Sequence, residues 1–207
     1  MSDSYKYIDP DDTYTDSQTG LLRNLQDISD PDVLLFVESS AVTKRLQELY
    51  ENPIKIKGAE SLFEIHKLLF QDMYAWAGKK RKVEISKDGK QFFPTTHFNN
   101  AFRHIDSLIT EYKVISKYNK KHLAQKLAEI LDNLNYWHPF REGNGRTQRE
   151  FLRILALEKE LTLNLNPPDN RSVYERYMKG TIESDLTTLT YLIFELTDPK
   201  NEKKNGA

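Results

Sequence analysis

A histidine, an acid, two glycines around an asparagine and two arginines fall within HPFREGNGRTQR, residues 138–149. A connector needs none of that chemistry. His138 can accept a proton near neutral pH. Gly143 and Gly145 let the backbone curl so that successive N–H groups point at one anion. Arg146 and Arg149 stand three apart, on about one face of a first helical turn, and add two guanidinium forks. The segment that follows, RTQREFLRILALEKE, is strongly helical in propensity. The loop therefore opens a helix whose first amides have no intrahelical partner and whose dipole is positive at that end. These parts suit a polyphosphate better than a single carboxylate. Glu142 is out of place among so much positive charge unless a cation joins it; Mg²⁺ takes one or two carboxylates plus substrate phosphates.

A plainer reading stands beside each part. His138 alone is compatible with a structural role. Asn144-Gly145 is a common turn pair, and the arginines can be solvated or paired with Glu142 and Glu150. The loop lacks the G-x-x-x-x-G-K-(S/T) of a Walker A loop. It is not a dinucleotide fingerprint either, because position 148 is Gln and no strand precedes.

The elements that must position this loop are mainly helical. Asp30-Pro31 is a helix start, with Asp as N-cap and Pro at the first position. From there Val33, Leu34, Phe36, Val37, Val42, Leu46 and Leu49 form an apolar stripe. A second helical pattern runs over 59–77 with Gly78 as its stop. KVEIS and QFFPT then read as short strands around Lys87-Asp88-Gly89-Lys90, a hairpin signal, and Pro94 keeps the second run off a central position. Helical periodicity resumes over Phe98–Tyr112 and Leu123–Leu134. Pro139 ends the latter at His138, since a residue before proline is pushed out of the α region. Two further helices are expected near 171–182 and 185–196. The expectation is a mainly α bundle with one β-hairpin at about 83–95. An irregular arm spans 1–20, the domain 21–197, and a flexible tail 198–207.

The chain has 207 residues, 38% of them hydrophobic, with ten Phe and eleven Tyr, enough for one substantial core. Thirty basic against thirty-one acidic residues leave a net charge of −1. That balance argues against direct nucleic-acid or membrane-surface binding. KKRK at 79–82 is a weak motif, expected to be a solvated or partner-facing surface. With no cysteine, disulfides and Cys-based zinc sites are excluded. MSDSYKYIDPDD has no basic start followed by an apolar run, and no stretch approaches a bilayer span, so the cytoplasm is the expected location.

The loop closely resembles the HPFx(D/E)GNGRxxR motif of the Fic family of protein adenylyltransferases, with every fixed position filled. IHKLLFQDMYAWAGKKRKVEIS, 65–86, resembles the segment leading into that family's β-hairpin flap, and the similarity covers about 20–197. The resemblance implies a Fic-like helical bundle with the flap beside the active-site loop. It also implies transfer of AMP from ATP, with Mg²⁺, to a Tyr, Thr or Ser hydroxyl of a target protein, releasing pyrophosphate. His138 would be the general base and Phe140 the loop's anchor in the core. Glu142 would hold the metal. Gly143, Asn144 and Gly145 would form the anion nest, with Arg146 on the phosphates and Arg149 on the γ-phosphate. Val83, Ile85, Phe92 and Phe93 would form a flap edge on which an extended target segment docks, although Phe92 and Phe93 have a simple packing role as an alternative.

Many family members carry an inhibitory helix, (S/T)xxxE(G/N), whose Glu pairs with the second motif arginine. Here only Ser107 and Glu111 have that spacing, and Tyr112 follows. The resemblance thus points to the toxin class restrained by a separate small antitoxin that supplies a Glu to Arg149. Type II topoisomerase subunits are possible targets. A secreted effector directed at a host is an alternative, as are kinase-like or other nucleotidyl or phosphocholine transfer and a silent nucleotide-binding module. Gly145, where a lysine would mark the kinase-like variant, and the presence of His138 and Glu142 argue against the last two.

Overall fold

The structure, a computed structural model, describes Lys6, Tyr7, Asp9 and residues 13–87 and 89–197. Helix α1 (Pro31–Glu51) starts as expected: the Asp30 carboxylate accepts from the amides of Asp32 and Val33. After α2 (Glu60–Phe70) come the flap strands β2 (Ile85–Lys87) and β3 (Lys90–Gln91). Then follow α3 (Phe98–Val114), α4 (Lys120–Trp137), α5 (Asn144–Leu157), α6 (Arg171–Glu183) and α7 (Leu186–Thr197). Helix α4 is the hub, packed against α3, α5 and α7, with Leu127, Leu131 and Leu134 fully buried. Helix α2 packs on α5, and α6 on α7.

The hairpin has the expected two-residue connection, since Lys87 pairs with Lys90 and Ser86 with Gln91. Gly89 takes φ +80° in that turn; Asp88 lies outside the described residues. A third strand was not foreseen. Lys6–Tyr7, here β1, pairs antiparallel with β2 and gives the order β1-β2-β3. The stretch after it is also tied down. Tyr14 is buried, meets Trp76 edge-on at 5.8 Å, and its hydroxyl accepts from the Lys82 amide. Most of the expected arm before residue 13 and all of the tail from 198 lie outside the described residues.

Three sequence expectations are corrected. Helix α2 ends at Phe70, not Ala77. The chain turns back there so that Tyr74 stacks on Trp76 at 4.4 Å, and the Gly78 amide reaches Nδ1 of His66. Val33 and Phe36 do not join the buried stripe of α1: they are 48% and 72% exposed, while Leu34, Val42 and Leu49 face inward. KKRK is not wholly a solvated surface. Burial alternates along this stretch, with residues 81, 83 and 85 inward and 82 and 84 outward, and Arg81 is buried.

Arg81 finds most of its partners in carbonyls, with the Glu84 carboxylate also accepting from Nη1 at 3.3 Å. Its Nε donates to His138 O at 2.9 Å, Nη1 to Val83 O at 2.6 Å, and Nη2 to Phe93 O at 2.6 Å. Its backbone amide donates to Pro139 O at 2.7 Å, and the guanidinium lies over the Phe98 ring. One side chain thus joins both arms of the flap to the end of α4. Replacing Arg81 by Met leaves several buried carbonyls unpaired, at about 1–3 kcal/mol each. Denaturant unfolding of Arg81→Met should show a loss of about 3 kcal/mol or more, with faster amide exchange over 83–95. Unchanged exchange there would show that the guanidinium does not hold the flap.

Candidate functional site

His138 is the residue that closes α4, in the left-handed conformation (φ 47°, ψ 59°). Pro139 disfavours continuing the helix, and histidine is among the residues that tolerate this region. Its ring Nδ1 lies 3.0 Å from Asn135 O. A carbonyl can only accept, so Nδ1 carries the hydrogen and Nε2 is the basic nitrogen. Burial pushes the imidazole down to about 3, and Arg81 and Lys87 push the same way, against the Asn135 bond. The ring is therefore neutral at pH 7.

The loop between α4 and α5 is built from inside. Asn144 spends its side chain on one peptide: Oδ1 accepts from Phe140 N at 3.0 Å and Nδ2 donates to Phe140 O at 2.8 Å. Any contact it makes with an anion is left to its backbone. Phe140 is buried between Phe63, edge-on at 5.1 Å, and His66, stacked at 3.7 Å. His66 accepts from Gly78 N at Nδ1, so Nε2 bears the hydrogen it donates to Glu142 O at 3.0 Å. Burial holds His66 near 3, hence neutral, a structural brace beneath the loop. Gly143 is required twice over: its φ is +80°, and a Cβ there would stand 2.4 Å from the Phe70 ring. The amides of 144–146, at the start of α5, have no intrahelical acceptor.

The two arginines differ. Arg146 donates from Nη1 to Glu38 Oε1 at 2.6 Å and lies over Phe70 at 4.7 Å, with Nη2 4.0 Å from Glu142. The other Glu38 oxygen accepts from the Tyr74 hydroxyl. Burial and the Glu38 charge push Tyr74 up, so it stays a donor. Arg149 lies 5.8 Å from the ring centres of Tyr174 and Tyr177 and reaches back toward Gly145. Among the described residues it has no carboxylate partner. The pair Ser107–Glu111 is on α3, where Glu111 binds Lys126.

His138, Glu142, Gly143, Gly145, Arg146 and Arg149 all line one cavity of about 660 Å³. Its other walls are the flap (Lys87, Lys90, Gln91, Phe92) and α6 (Tyr174, Tyr177, Met178, Thr181). Val83 and Ile85 point into the core, so they bear on the site through their backbone, whereas Phe92 stacks on His138 and Phe93 packs edge-on against Tyr136. Glu142 is partly exposed in this cavity, and its Oε1 accepts from Gly143 N. Among the described residues no group of three or more metal-ligating side chains exists. A lone carboxylate facing an anion site fits a Mg²⁺ completed by phosphates and water, not a protein-only cage. No helix among the described residues is long and apolar enough to cross a membrane.

Sequence reasoning missed Glu38, Tyr74, His66, Arg81 and the α6 wall. Glu38 did leave a trace: it stands between Leu34 and Val42 on the inward face of α1, where an apolar residue is expected.

The fold and site define a helical bundle whose histidine-headed, glycine-flanked loop opens a helix beneath a hairpin flap. Residues 56–156 match the Fic/DOC family. The chain is 38% identical over 154 residues to the protein adenylyltransferase VbhT of Bartonella schoenbuchensis, covering 74% of this chain and 32% of that one. It is 32% identical over 140 residues to the probable protein adenylyltransferase y4lH of Sinorhizobium fredii, covering 67% and 71%. This chain belongs to the Fic/DOC family. Its fold also matches the crystal structure of BepC, a VirB-translocated effector of Bartonella tribocorum with bound AMPPNP. That match has a TM-score of 0.77 at 20% identity and covers 91% of this chain and 97% of that one. The chain spans only about a third of VbhT.

Glu38→Ala would strand the buried Tyr74 hydroxyl and remove the partner of Arg146. Denaturant unfolding should show a loss of about 3 kcal/mol, against about 1 for Tyr74→Phe, which keeps the ion pair. Equal, small losses would mean that the ion pair contributes nothing.

Proposed function

We propose that this chain is a protein adenylyltransferase that moves AMP from ATP to a side-chain hydroxyl of a target protein. One observation carries the reading: a neutral, tautomer-fixed His138 shares a cavity with the α5 N-terminus and two motif arginines. The adenylyltransferase names of VbhT and y4lH and the AMPPNP in BepC support it.

His138 Nε2 takes the proton of the acceptor hydroxyl, whose oxygen attacks the α-phosphorus as the bond to the pyrophosphate oxygen breaks. The amides at 144–146 and Arg146 hold the phosphates, and Arg149, which has no carboxylate partner among the described residues, takes the γ-phosphate. Bound polyphosphate raises the proton affinity of His138 from its depressed value, which suits transient protonation. Glu142 would hold a Mg²⁺, which would neutralise charge on the phosphates. The base and ribose lie between the flap and α6. Because β1 occupies the outer edge of β2, the flap edge left for a target strand is β3.

The role we favour is that of a cytoplasmic toxin restrained by a small antitoxin that supplies a Glu to Arg149, with type II topoisomerase subunits as target class. Arg149, which meets Tyr174 and Tyr177 but no carboxylate among the described residues, supports it. A host-directed effector is the second reading, favoured by the likeness to a translocated effector.

Lysate incubated with the protein, Mg²⁺ and α-labelled ATP should show a labelled protein band, weakened about 10²-fold or more by His138→Ala. Transfer only from γ-labelled ATP would replace this reading with a kinase, and ATP binding without transfer would replace it with a silent module. Expression alone should arrest bacterial growth, and a co-expressed neighbouring small reading frame should relieve the arrest. Harmless expression would reject the toxin role.

A further inference from the structure

A surface helix of a folded domain carries charge on its outer face, and a helix that is apolar all round is a covered one. Helix α7 is on the surface without that charge. Of its twelve residues only Glu195 is charged, and Glu195 is bound to Arg176 of α6 at 2.8 Å. Its inner line, Leu189, Leu192 and Ile193, is fully buried in the bundle. Its outer line is apolar as well: Leu186 is 43% exposed, Tyr191 69% and Phe194 36%. With α4 this outer line walls a groove of about 650 Å³, which shares no residue with the cavity that holds His138.

The α4 wall of the groove is polar, and its charges have an order. Lys121, Gln125 and Glu129 stand four apart, in one line about 12 Å long. One end is positive, since Lys121 has no carboxylate partner among the described residues. The other end is negative, because the single charge of Lys126 is shared between Glu129 at 2.6 Å and Glu111 at 2.7 Å. Gln125, in the middle, carries an amide that both donates and accepts.

Such a wall is complementary to itself. A two-fold axis through Gln125 reverses the line, so Lys121 of each copy faces Glu129 of the other. The two Gln125 amides then meet at the axis, each able to donate to the other. A partner of uniform charge would match one end of the line and repel the other end. The same rotation brings the Tyr191 and Phe194 ridge of each α7 over the groove of the other copy. Aromatic side chains inside a polar rim are the usual composition of an interface core.

We propose that this face joins two copies of the chain in a two-fold dimer, with α4 and α7 of one copy antiparallel to the same helices of the other. The outer face of α7 is then covered, and the α4 charges form the rim. Because the groove is separate from the His138 cavity, the dimer does not depend on the adenylyl-transfer reading.

Sedimentation velocity of the full chain over about 1–100 µM should show a monomer–dimer equilibrium. Tyr191→Asp should weaken it about 10²-fold, since each dimer carries the change twice. Lys121→Glu alone and Glu129→Lys alone set like charges opposite each other. Each should weaken the dimer about fivefold or more at low salt, and the two combined should return it to within about threefold of wild type. Thermal midpoints at about 1 µM establish that each variant monomer folds. Thr190→Arg, on the same wall, carries the test if Tyr191→Asp does not fold. A wild type that stays monomeric throughout overturns the proposal, even if another protein binds the face. A dimer that survives Tyr191→Asp and Thr190→Arg lies elsewhere and overturns it too. A combined swap as weak as either single change rejects the antiparallel register.

Discussion

The end of α4 creates a demand that much of the site answers. A helix that stops at a left-handed residue followed by proline leaves its last carbonyls without helical partners. The Phe93 amide takes Tyr136 O, while Arg81 takes His138 O with its guanidinium and Pro139 O, in the turn beyond, with its backbone amide. A fork of fixed geometry can satisfy several carbonyls only if they converge. The flap arms at Val83 and Phe93 are therefore held in register with the turn that aims His138. The flap and the histidine behave as one unit because they share one donor.

The start of α5 has the opposite problem, an excess of positive charge. The near-neutral composition hides it, since the charge is local. Glu38 answers for Arg146 alone, and Phe70 seats that guanidinium while also forbidding any side chain at Gly143. Arg149 is placed against tyrosine rings, which orient a cation without neutralising it. Of two arginines three residues apart, one is preorganised by an internal acid and the other keeps its full charge for whatever enters the cavity.

What the sequence made legible follows from range. Asp30-Pro31, the two-residue hairpin turn and the loop motif are local, and the structure has the cap, the register and the helix start that they imply. The missed features come from contacts distant in sequence. Arg81 sits among lysines in KKRK, and the carbonyls that hold it inside, at His138 and Phe93, are distant in sequence. Tyr74 and Trp76 continue an apolar pattern that suits a helix, yet the stacking of their rings and the reach of Gly78 to His66 favour a reversal instead. Val33 and Phe36 fit a helical stripe loosely, and the true inward line, Leu34, Glu38, Val42, Arg45, Leu49, is interrupted by charge. The α6 wall, with Tyr174 and Tyr177, is far from the motif and carries no signature of its own.

Burial of His138 has a cost and a use, and they are linked. A desolvated imidazole resists protonation, which makes it a poor base in isolation. Under the proposed function, bound polyphosphate would reverse that by stabilising the imidazolium, so that basicity would rise when phosphates are present. Phe92, stacked on one face of the ring, adds to the desolvation, which would strengthen the coupling between the ring and bound phosphates. An exposed histidine would be more basic at rest and less responsive to what binds. Under the proposed function, the basicity of His138 would depend on the nucleotide bound beside it.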